Sequence, residues 1–171
     1  MKVTEITNDS DLTALRAGDA VLFSGVAYTA RDAAHGRIAA AHAKGEPLPF
    51  DLDKAAIYYA GPTPARAGEI IGSCGPTTSA RMDDYAPLTM ELGVRIMIGK
   101  GKRSPAVVEA IKKHKAVYLV AVGGAAALIK SRVVSAEDVA YPDLGCEAVR
   151  RLTFDKLPLL VAIDSRGEGI F

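Results

Sequence analysis

Short apolar runs alternate along this chain with alanine-rich helical patterns, and this alternation limits its fold more strongly than any other feature. The apolar runs are rich in β-branched and aromatic residues, which favour strands. Alternation of strands and helices is typical of α/β proteins, in which helices pack on a sheet. Strands are predicted for the following runs: 20–29, 55–61, 94–99, 116–122 and 157–164.

Helices are predicted between these strands. The segment 30–45 ends with a glycine at the position of a C-terminal cap. The segment 104–115 begins with Ser104 at the N-cap position and Pro105 as its first helical residue. The segment 145–154 is predicted as a helix before the last strand. The fold class is therefore α/β, with helices on a sheet.

The size of the chain favours one compact globular domain, and its charge gives no global preference for an anionic partner. Its 171 residues are 49% hydrophobic, which is enough to bury a sizeable core. With 21 basic and 20 acidic residues the formal net charge is +1, so no global field favours nucleic acid or an anionic membrane. No signal peptide is visible, and no apolar stretch approaches the roughly 18 residues of a membrane span. We expect a soluble, cytoplasmic protein whose anion recognition is local.

The cysteines and acidic pairs do not indicate a metal site. Cys74 and Cys146 lie far apart without a C-x-x-C spacing, so neither a disulfide framework nor a zinc site is indicated. Both are predicted to be buried thiols. The acidic pairs lack a histidine at metal-ligand spacing: Asp51–Asp53 and Asp83–Asp84.

The run GSCGPTTSARMDDY, residues 72–85, is not one that core packing would require. Gly72 and Gly75 allow backbone conformations closed to other residues, and Pro76 stiffens the turn. Backbone N–H groups could then converge on one point with three side-chain hydroxyls. These hydroxyls belong to consecutive residues: Thr77, Thr78 and Ser79.

Arg81 adds a fixed charge suited to a planar anion. The combination suits a carboxylate or a phosphate, but the lysine of a nucleotide-binding loop does not follow the hydroxyls. The alternative is an ordinary Gly-Pro turn that caps a helix, and we weigh it below the anion site.

Arg31 and His35 lie four residues apart near the start of the helix predicted at 30–45, on one face. Arg31 could bind a carboxylate bidentately, with free backbone N–H groups nearby. A solvated arginine is the equal alternative, and His35 is interpreted as a histidine of the helix surface.

Lys100 follows a predicted strand, at the edge where open α/β sheets usually bind ligands. Its glycine neighbours could let it be drawn inward, whereas Lys102 and Arg103 are predicted to be solvated. The run VGGAAALI, residues 122–129, lacks the full dinucleotide fingerprint, so we interpret it as close packing of a helix on the sheet.

Taken together, ARDAAH, GPTTSARMD, GKG, VGGAAALI and DLGCEAV resemble the motifs of class I fumarate hydratases, in order and in spacing. The resemblance is to the C-terminal domain or separate β subunit of that family, and to the related L-tartrate dehydratase β subunit. It runs from about residue 18 to the end, and GPTTSARMD is its most specific part. Cys146 departs from the pattern, because many relatives have methionine there.

The resemblance implies a swivelling β/β/α domain that works with a larger α subunit. That α subunit would carry a four-iron four-sulfur cluster on three cysteines of its own, with one iron open for substrate. The implied activity is a hydro-lyase interconverting fumarate and (S)-malate. Dehydration of L-tartrate to oxaloacetate and a non-catalytic dicarboxylate-binding domain are the alternatives. The chain begins almost at the domain, so a two-subunit enzyme is expected, with self-association of the isolated chain through the uncovered interface.

The resemblance also implies roles for residues of this chain. Thr77 matches the residue proposed as the catalytic base that takes the C3 proton of malate. The matched substrate-binding residues are the following: Arg31, Thr78, Arg81 and Lys100. Supporting positions are the following: Gly75, Ser79, Asp83 and His35. Asp83 is expected to orient Arg81.

Overall fold

A computed structural model of the chain describes residues 2–121 and 125–171. Within these ranges seven strands form: β1 Val3–Ile6, β2 Ala20–Thr29, β3 Ala56–Tyr58, β4 Ile96–Gly99, β5 Val117–Ala121, β6 Val133–Ala140 and β7 Val149–Ile163. The α-helices of these ranges are α1 Asp32–Ala43, α2 Ala86–Glu91, α3 Pro105–His114 and α4 Ala125–Arg132. Short 3-10 helices form at Leu12–Ala14, Ser79–Met82 and Pro142–Glu147. None of the described helices is long and apolar enough to cross a membrane.

The strands form one mixed sheet in the order β1-β2-β3-β4-β5-β7-β6. Strands β1 to β5 run parallel to one another, whereas β7 runs antiparallel to β5 and β6. The long strand β7 also pairs with β2, from Ala20 opposite Leu160 to Tyr28 opposite Arg151. The pairings therefore close a ring of five strands, β2, β3, β4, β5 and β7.

Closure of this ring gives the protein two apolar layers. Alternate residues of a strand point to opposite faces, so Ile96 and Ile98 of β4 face one layer and Met97 the other. The first layer takes side chains from all five ring strands and fills the enclosed face: Val21, Phe23, Tyr58, Ile98, Leu119, Phe154 and Leu159. The second lies between the sheet and α1, α2 and α3, which contribute the following side chains: Ile38, Met90 and Ile111.

Most predicted elements are confirmed, several with shorter bounds, whereas the strand predicted at 157–164 is part of the longer β7. The strand at 20–29 matches β2, and α3 begins as predicted, because the Ser104 hydroxyl accepts a hydrogen bond from the Val107 N–H at 3.4 Å. Gly45 has a φ of 70° just beyond α1, and its N–H bonds to the His42 carbonyl at 3.0 Å. The glycine therefore ends α1 as expected.

The helix predicted at 145–154 is wrong. A 3-10 helix ends at Glu147, and Val149 begins β7. Leu152 and Phe154 are buried, whereas Arg151 is exposed and Thr153 is half-buried, which is the alternation of a strand. Pairing with both β2 and β6 therefore outweighs the local helical pattern. The VGGAAALI interpretation depends on residues 123–124, which lie outside the described residues.

The two cysteines differ in exposure. Cys74 is buried as predicted, and its carbonyl accepts a hydrogen bond from the Tyr58 hydroxyl. Burial raises the pKa of the Cys74 thiol to about 12. Cys146 is exposed, so its prediction as a buried thiol is wrong. It lies in the 3-10 helix before β7, whose residues are not part of either apolar layer, apart from partial packing by Leu144.

Candidate functional site

Three loops meet at one edge of the sheet. Strands β2, β3 and β4 are parallel neighbours, so their carboxyl ends lie at the same edge. Arg31 follows β2, and Lys100 follows β4. The GPTTSAR loop reaches this edge because the Thr77 N–H donates to the Tyr59 carbonyl at 2.6 Å, just beyond β3. Thr78 then bridges to Lys100 in parallel fashion. The topology therefore gathers residues that are up to 69 positions apart in the sequence.

Arg31 is the N-cap residue of α1, and its backbone is extended. Its side chain lies across Gly61, where an added Cβ would come within 2.9 Å of the Arg31 Cδ. The Arg31 Nε is buried and has no hydrogen-bond partner among the described residues. The nearest carboxylate oxygen, from Glu147, is 3.9 Å away, too far for a hydrogen bond. The Arg31 Nε is therefore an unpaired donor within the described residues, while a quarter of the side chain remains exposed.

Arg81 is held beside Arg31 by the residue that follows Arg31. Its Nε and Nη2 donate to the Asp32 Oδ2 at 3.1 and 2.8 Å. The Arg81 side chain remains 52% exposed, so part of the guanidinium is open to solvent. The other oxygen of Asp32, Oδ1, is buried without a partner in the described part of the chain. Two guanidinium groups thus lie near the N-terminus of α1, where the helix dipole adds positive potential.

Lys100 is exposed, so the prediction that its side chain is drawn inward is wrong. The backbone of Lys100, and not its side chain, is bonded to the buried Ser79. The Lys100 N–H donates to the Ser79 hydroxyl at 3.0 Å, and the Lys100 carbonyl accepts from the Ser79 N–H at 3.0 Å. The backbone is thereby secured while the amine can reach a ligand.

The three consecutive hydroxyl residues, Thr77, Thr78 and Ser79, differ in burial and in their hydrogen bonds. Ser79 is fully buried, and its N–H is used by Lys100. The Thr77 N–H is used by Tyr59, so the predicted convergence of all N–H groups and hydroxyls on one point is wrong. The hydroxyls of Thr77 and Thr78 make no hydrogen bond within residues 2–121 and 125–171, and Thr78 is exposed. These two hydroxyls are the ones available to a ligand.

The glycines of this loop act differently from the prediction. Neither Gly72 nor Gly75 has a positive φ, so special backbone conformation is not the reason for either. A Cβ on Gly72 would lie 2.2 Å from the Thr63 carbonyl oxygen, which requires glycine through close approach of backbone. Nothing in the structure explains the glycine at Gly75, where the nearest contact of an added Cβ is an ordinary 3.7 Å.

Arg103 was predicted to be solvated, and that prediction is wrong. Its side chain is 0% exposed, and its Nε donates to the Asp83 Oδ1 at 2.7 Å. The guanidinium lies between the rings of Tyr59 and Tyr118, 5.0 and 4.8 Å from their centroids. Burial alone would lower the pKa of Arg103, but Tyr59 and Asp83 raise it, so the group stays charged.

Asp83 therefore pairs with Arg103, and the expected orientation of Arg81 by Asp83 is wrong. Its second oxygen accepts from the Ser104 N–H at 2.7 Å, which ties the start of α3 to the loop. The sequence did not reveal the burial of Arg103, because its partners Tyr59, Asp83 and Tyr118 lie between 15 and 44 residues away. The sequence signal that could have indicated this role is the position of Arg103 directly before the N-cap Ser104.

His35 is buried, so its interpretation as a surface histidine is wrong. The face of α1 that carries it packs on the sheet, with the rings of Tyr59 and Tyr85 at 5.7 and 5.8 Å. Its Nδ1 is 2.8 Å from the Arg31 carbonyl and must donate, because a carbonyl only accepts. Burial lowers the pKa of His35 to about 4, so the ring is neutral at pH 7.

A family model described as Fumarase C-terminus matches residues 1–171 of the chain. The chain belongs to the fumarase C-terminus family. The family membership predicted from GPTTSARMD and its companion motifs is thus confirmed.

Two fumarate hydratases match this fumarase C-terminus domain over most of its length. Fumarate hydratase 2 of Leishmania major is 38% identical over 156 residues, 90% of this chain and 28% of the relative. The aerobic class I fumarate hydratase of Escherichia coli K12 is 39% identical over 150 residues, 86% of this chain and 27% of the relative. The chain thus spans little more than a quarter of the length of these relatives.

A third relative is similar in length to this fumarase C-terminus domain. The L(+)-tartrate dehydratase subunit beta of Shigella boydii is 33% identical over 165 residues, which cover 94% of this chain and 81% of the relative. Both predicted enzyme classes, fumarate hydratase and tartrate dehydratase, are therefore represented among the relatives.

The described residues of this fumarase C-terminus domain do not fit a metal or an iron–sulfur cluster. Within the described residues no three His, Cys, Asp or Glu side chains are grouped so as to hold a metal ion. Cys74 is buried with its pKa raised by burial, and Cys146 is exposed in the segment before β7. The candidate site therefore offers cations and hydroxyls, which suit a dicarboxylate.

Acidification is expected to weaken this domain through His35. Its pKa is lowered from 6.5 to about 4 by burial, so the unfolded state binds the proton at higher pH than the folded state. Neutral His35 contributes its full stabilisation above about pH 6.5, and this stabilisation falls as the pH drops. By pH 4 the free energy of unfolding is expected to be lower by about 3 kcal/mol. Urea unfolding between pH 7 and pH 4 measures it.

His35→Asn provides the comparison, because its amide can still donate to the Arg31 carbonyl but does not titrate. We expect its stability to fall less steeply with pH than that of the wild type. His42→Asn removes an exposed imidazole from the same helix and should keep the wild-type slope. Equal slopes for His35→Asn and the wild type would contradict the assignment.

Proposed function

We propose that this chain is the β subunit of an iron–sulfur hydro-lyase that reversibly hydrates fumarate to (S)-malate. In this proposal it folds as a swivelling β/β/α domain and acts in the cytoplasm. The observation that carries the proposal is the placement of three cations from three loops at one sheet edge: Arg31, Arg81 and Lys100. Two carboxylates carry two negative charges, and a site that binds both needs more than one cation beside them.

The cations would serve both binding and catalysis. Arg31 and Arg81 carry planar guanidinium groups, which match a carboxylate bidentately, and Lys100 adds a point charge. Removal of the C3 proton of malate builds negative charge on the adjacent carboxylate. Cations aimed at that carboxylate stabilise the transition state more than the ground state.

Thr77 would take the C3 proton. Its backbone is held by the hydrogen bond to Tyr59, and its hydroxyl has no partner among the described residues. A threonine hydroxyl alone is far too weak a base, so the neighbouring cations must stabilise the alkoxide or the proton must be relayed onward. Lys100 is the neighbour best placed for this, because Thr78 bridges directly to it.

The cluster in this proposal belongs to a partner α subunit, because the described residues of this chain do not fit one. The exposed side chains Thr78, Arg81 and Lys100 form an open face rather than a closed pocket. A second protein surface would close this face, and a stable contact is expected to bury about 1,200 Å² or more in total. The similarity to an L(+)-tartrate dehydratase subunit beta supports a partner subunit.

Dehydration of L-tartrate to oxaloacetate is the second candidate. The observation that favours it is the relative from Shigella boydii, which this chain covers to 81% of its length. Tartrate, like malate, presents two carboxylates and a leaving hydroxyl to the same three cations. The α subunit would then help to decide between the two substrates.

The test is anaerobic dehydration of malate, followed by fumarate absorbance. We expect no activity from this chain alone and activity once a reconstituted iron–sulfur α subunit is added. Lys100→Ala should lower kcat/KM by about 100-fold, because it removes a charge that contacts the developing anion. Lys102→Ala removes an exposed lysine two residues away and should leave the activity near the wild-type value.

The outcomes separate the hypotheses. Activity with tartrate but not malate would keep the family and reject fumarate hydration. An intact complex that turns over neither substrate would reject the enzyme and leave a non-catalytic dicarboxylate-binding domain. That domain should bind malate tightly without a partner, whereas half of an active site should bind it weakly.

A further inference from the structure

A chain of buried hydroxyl groups connects the loop that carries Thr77 with the loop that carries Lys100. The Lys100 N–H donates to the Ser79 hydroxyl at 3.0 Å. The Ser79 and Tyr118 hydroxyls are 2.8 Å apart, and the Tyr118 hydroxyl is 2.9 Å from the Gly101 carbonyl oxygen. This path of hydrogen bonds therefore begins at Lys100 and ends one residue later, at Gly101.

Only one arrangement of protons satisfies all three contacts. The Gly101 carbonyl can only accept, so the single proton of Tyr118 points to it. Tyr118 must then accept from the Ser79 hydroxyl, and Ser79 in turn accepts from the Lys100 N–H. Each group donates once, so the direction of the hydrogen bonds is the same along the whole path.

The surrounding residues hold this path in place. The Tyr118 ring is buried, with the Arg103 guanidinium 4.8 Å from its centroid. Burial raises the pKa of Tyr118 to about 12, so its hydroxyl keeps its proton at neutral pH. Gly99 leaves room for the Ser79 hydroxyl, because an added Cβ there would lie 2.0 Å from the Ser79 Oγ. The loop and the hydroxyl pair therefore fit each other closely.

We propose that Ser79 and Tyr118 are positioning residues that set the place of Lys100 relative to Thr77 in the active site. The proposal rests on the proposed function for its kinetic consequence. Lys100 lies between two glycines, Gly99 and Gly101, which leave its backbone many conformations. The hydrogen bonds of the Ser79 and Tyr118 hydroxyls to Lys100 and Gly101 restrict this backbone from its buried side, away from the substrate. Neither residue touches the substrate in this arrangement; both act through Lys100.

The kinetic test uses Tyr118→Phe, which removes one oxygen and keeps the ring over Arg103. In the complex reconstituted with the α subunit we expect kcat/KM for the substrate to fall about tenfold, because a small displacement of a catalytic charge is costly. Ser79→Ala should cause a similar loss and serves if Tyr118→Phe does not fold. Tyr28→Phe removes a hydroxyl from a ring that packs on Phe50, and should retain wild-type activity.

A double variant separates positioning from a general structural role. If Tyr118 acts through Lys100, then Tyr118→Phe should cost less than about twofold in kcat/KM once Lys100→Met is present. Multiplied losses in the double variant would overturn the proposal. So would an activity of Tyr118→Phe within about twofold of the wild type.

Amide hydrogen exchange of the isolated chain tests the same link without any activity. Tyr118→Phe should speed the exchange of the Lys100 N–H by about tenfold or more, with smaller effects on the N–H groups of β1. An unchanged exchange rate at Lys100 would overturn the positioning role. If the wild-type complex turns over neither malate nor tartrate, the proposed function falls, and this exchange result alone decides whether the hydroxyl pair holds the loop.

Discussion

Replacing Arg103 with methionine is expected to lower the free energy of unfolding by about 3–5 kcal/mol. The Arg103 side chain is 0% exposed and that of Asp83 is 13% exposed, so the substitution leaves a carboxylate that is largely out of water without its cation. The hydrogen bond to the Tyr59 hydroxyl is lost as well. Urea unfolding at pH 7 measures the change, with the denaturant slope checked for two-state behaviour.

Two further variants make this prediction specific. Lys102→Met also replaces a cation with methionine, but at an exposed position next to Arg103. It should alter the free energy of unfolding by less than about 0.5 kcal/mol. Asp83→Asn combined with Arg103→Met removes the unpaired charge and should recover part of the loss. If Arg103→Met is as stable as Lys102→Met, the buried ion pair does not stabilise the fold.

The arrangement of strands and helices was predictable because it follows from local patterns. The run at 20–29 is rich in β-branched and aromatic residues, and the helix at 104–115 has its own cap residues. The segment at 145–154 was misassigned because its alternation is interrupted by charged residues such as Arg150 and Arg151. Those arginines face acidic partners on β6, at Asp138 and Glu137, and a single sequence does not reveal that pairing.

The candidate site was predictable in its members but not in their exposure. The motif GPTTSARMD placed the hydroxyls and Arg81 together, and the strand that precedes Lys100 placed the lysine at the same edge. Whether a side chain points inward depends on distant partners. Ser79 turns to Tyr118, 39 residues away, and His35 turns into the layer beneath α1. No local pattern contains this information.

Replacing Thr77 with alanine is expected to lower kcat/KM of the reconstituted enzyme by about 10³-fold, mostly through kcat. In the proposed mechanism the Thr77 alkoxide, stabilised by the neighbouring cations, takes the C3 proton, whereas the carboxylates are bound by Arg31, Arg81 and Lys100. The hydroxyl makes no hydrogen bond within the described residues, so the free energy of unfolding should change by less than about 0.5 kcal/mol. Steady-state kinetics and urea unfolding of the same preparations measure both quantities.

Thr77→Ser supplies the sharper comparison, because it keeps the hydroxyl and removes only a methyl group. It should retain activity within about tenfold of the wild type if the hydroxyl carries the chemistry. Thr13→Ala deletes the hydroxyl of an exposed threonine and should leave kcat/KM unchanged. If Thr77→Ala keeps kcat while KM rises, Thr77 only binds substrate, and the proton must go to another group at this edge. The first to replace would then be Thr78, which is exposed and bridges to Lys100.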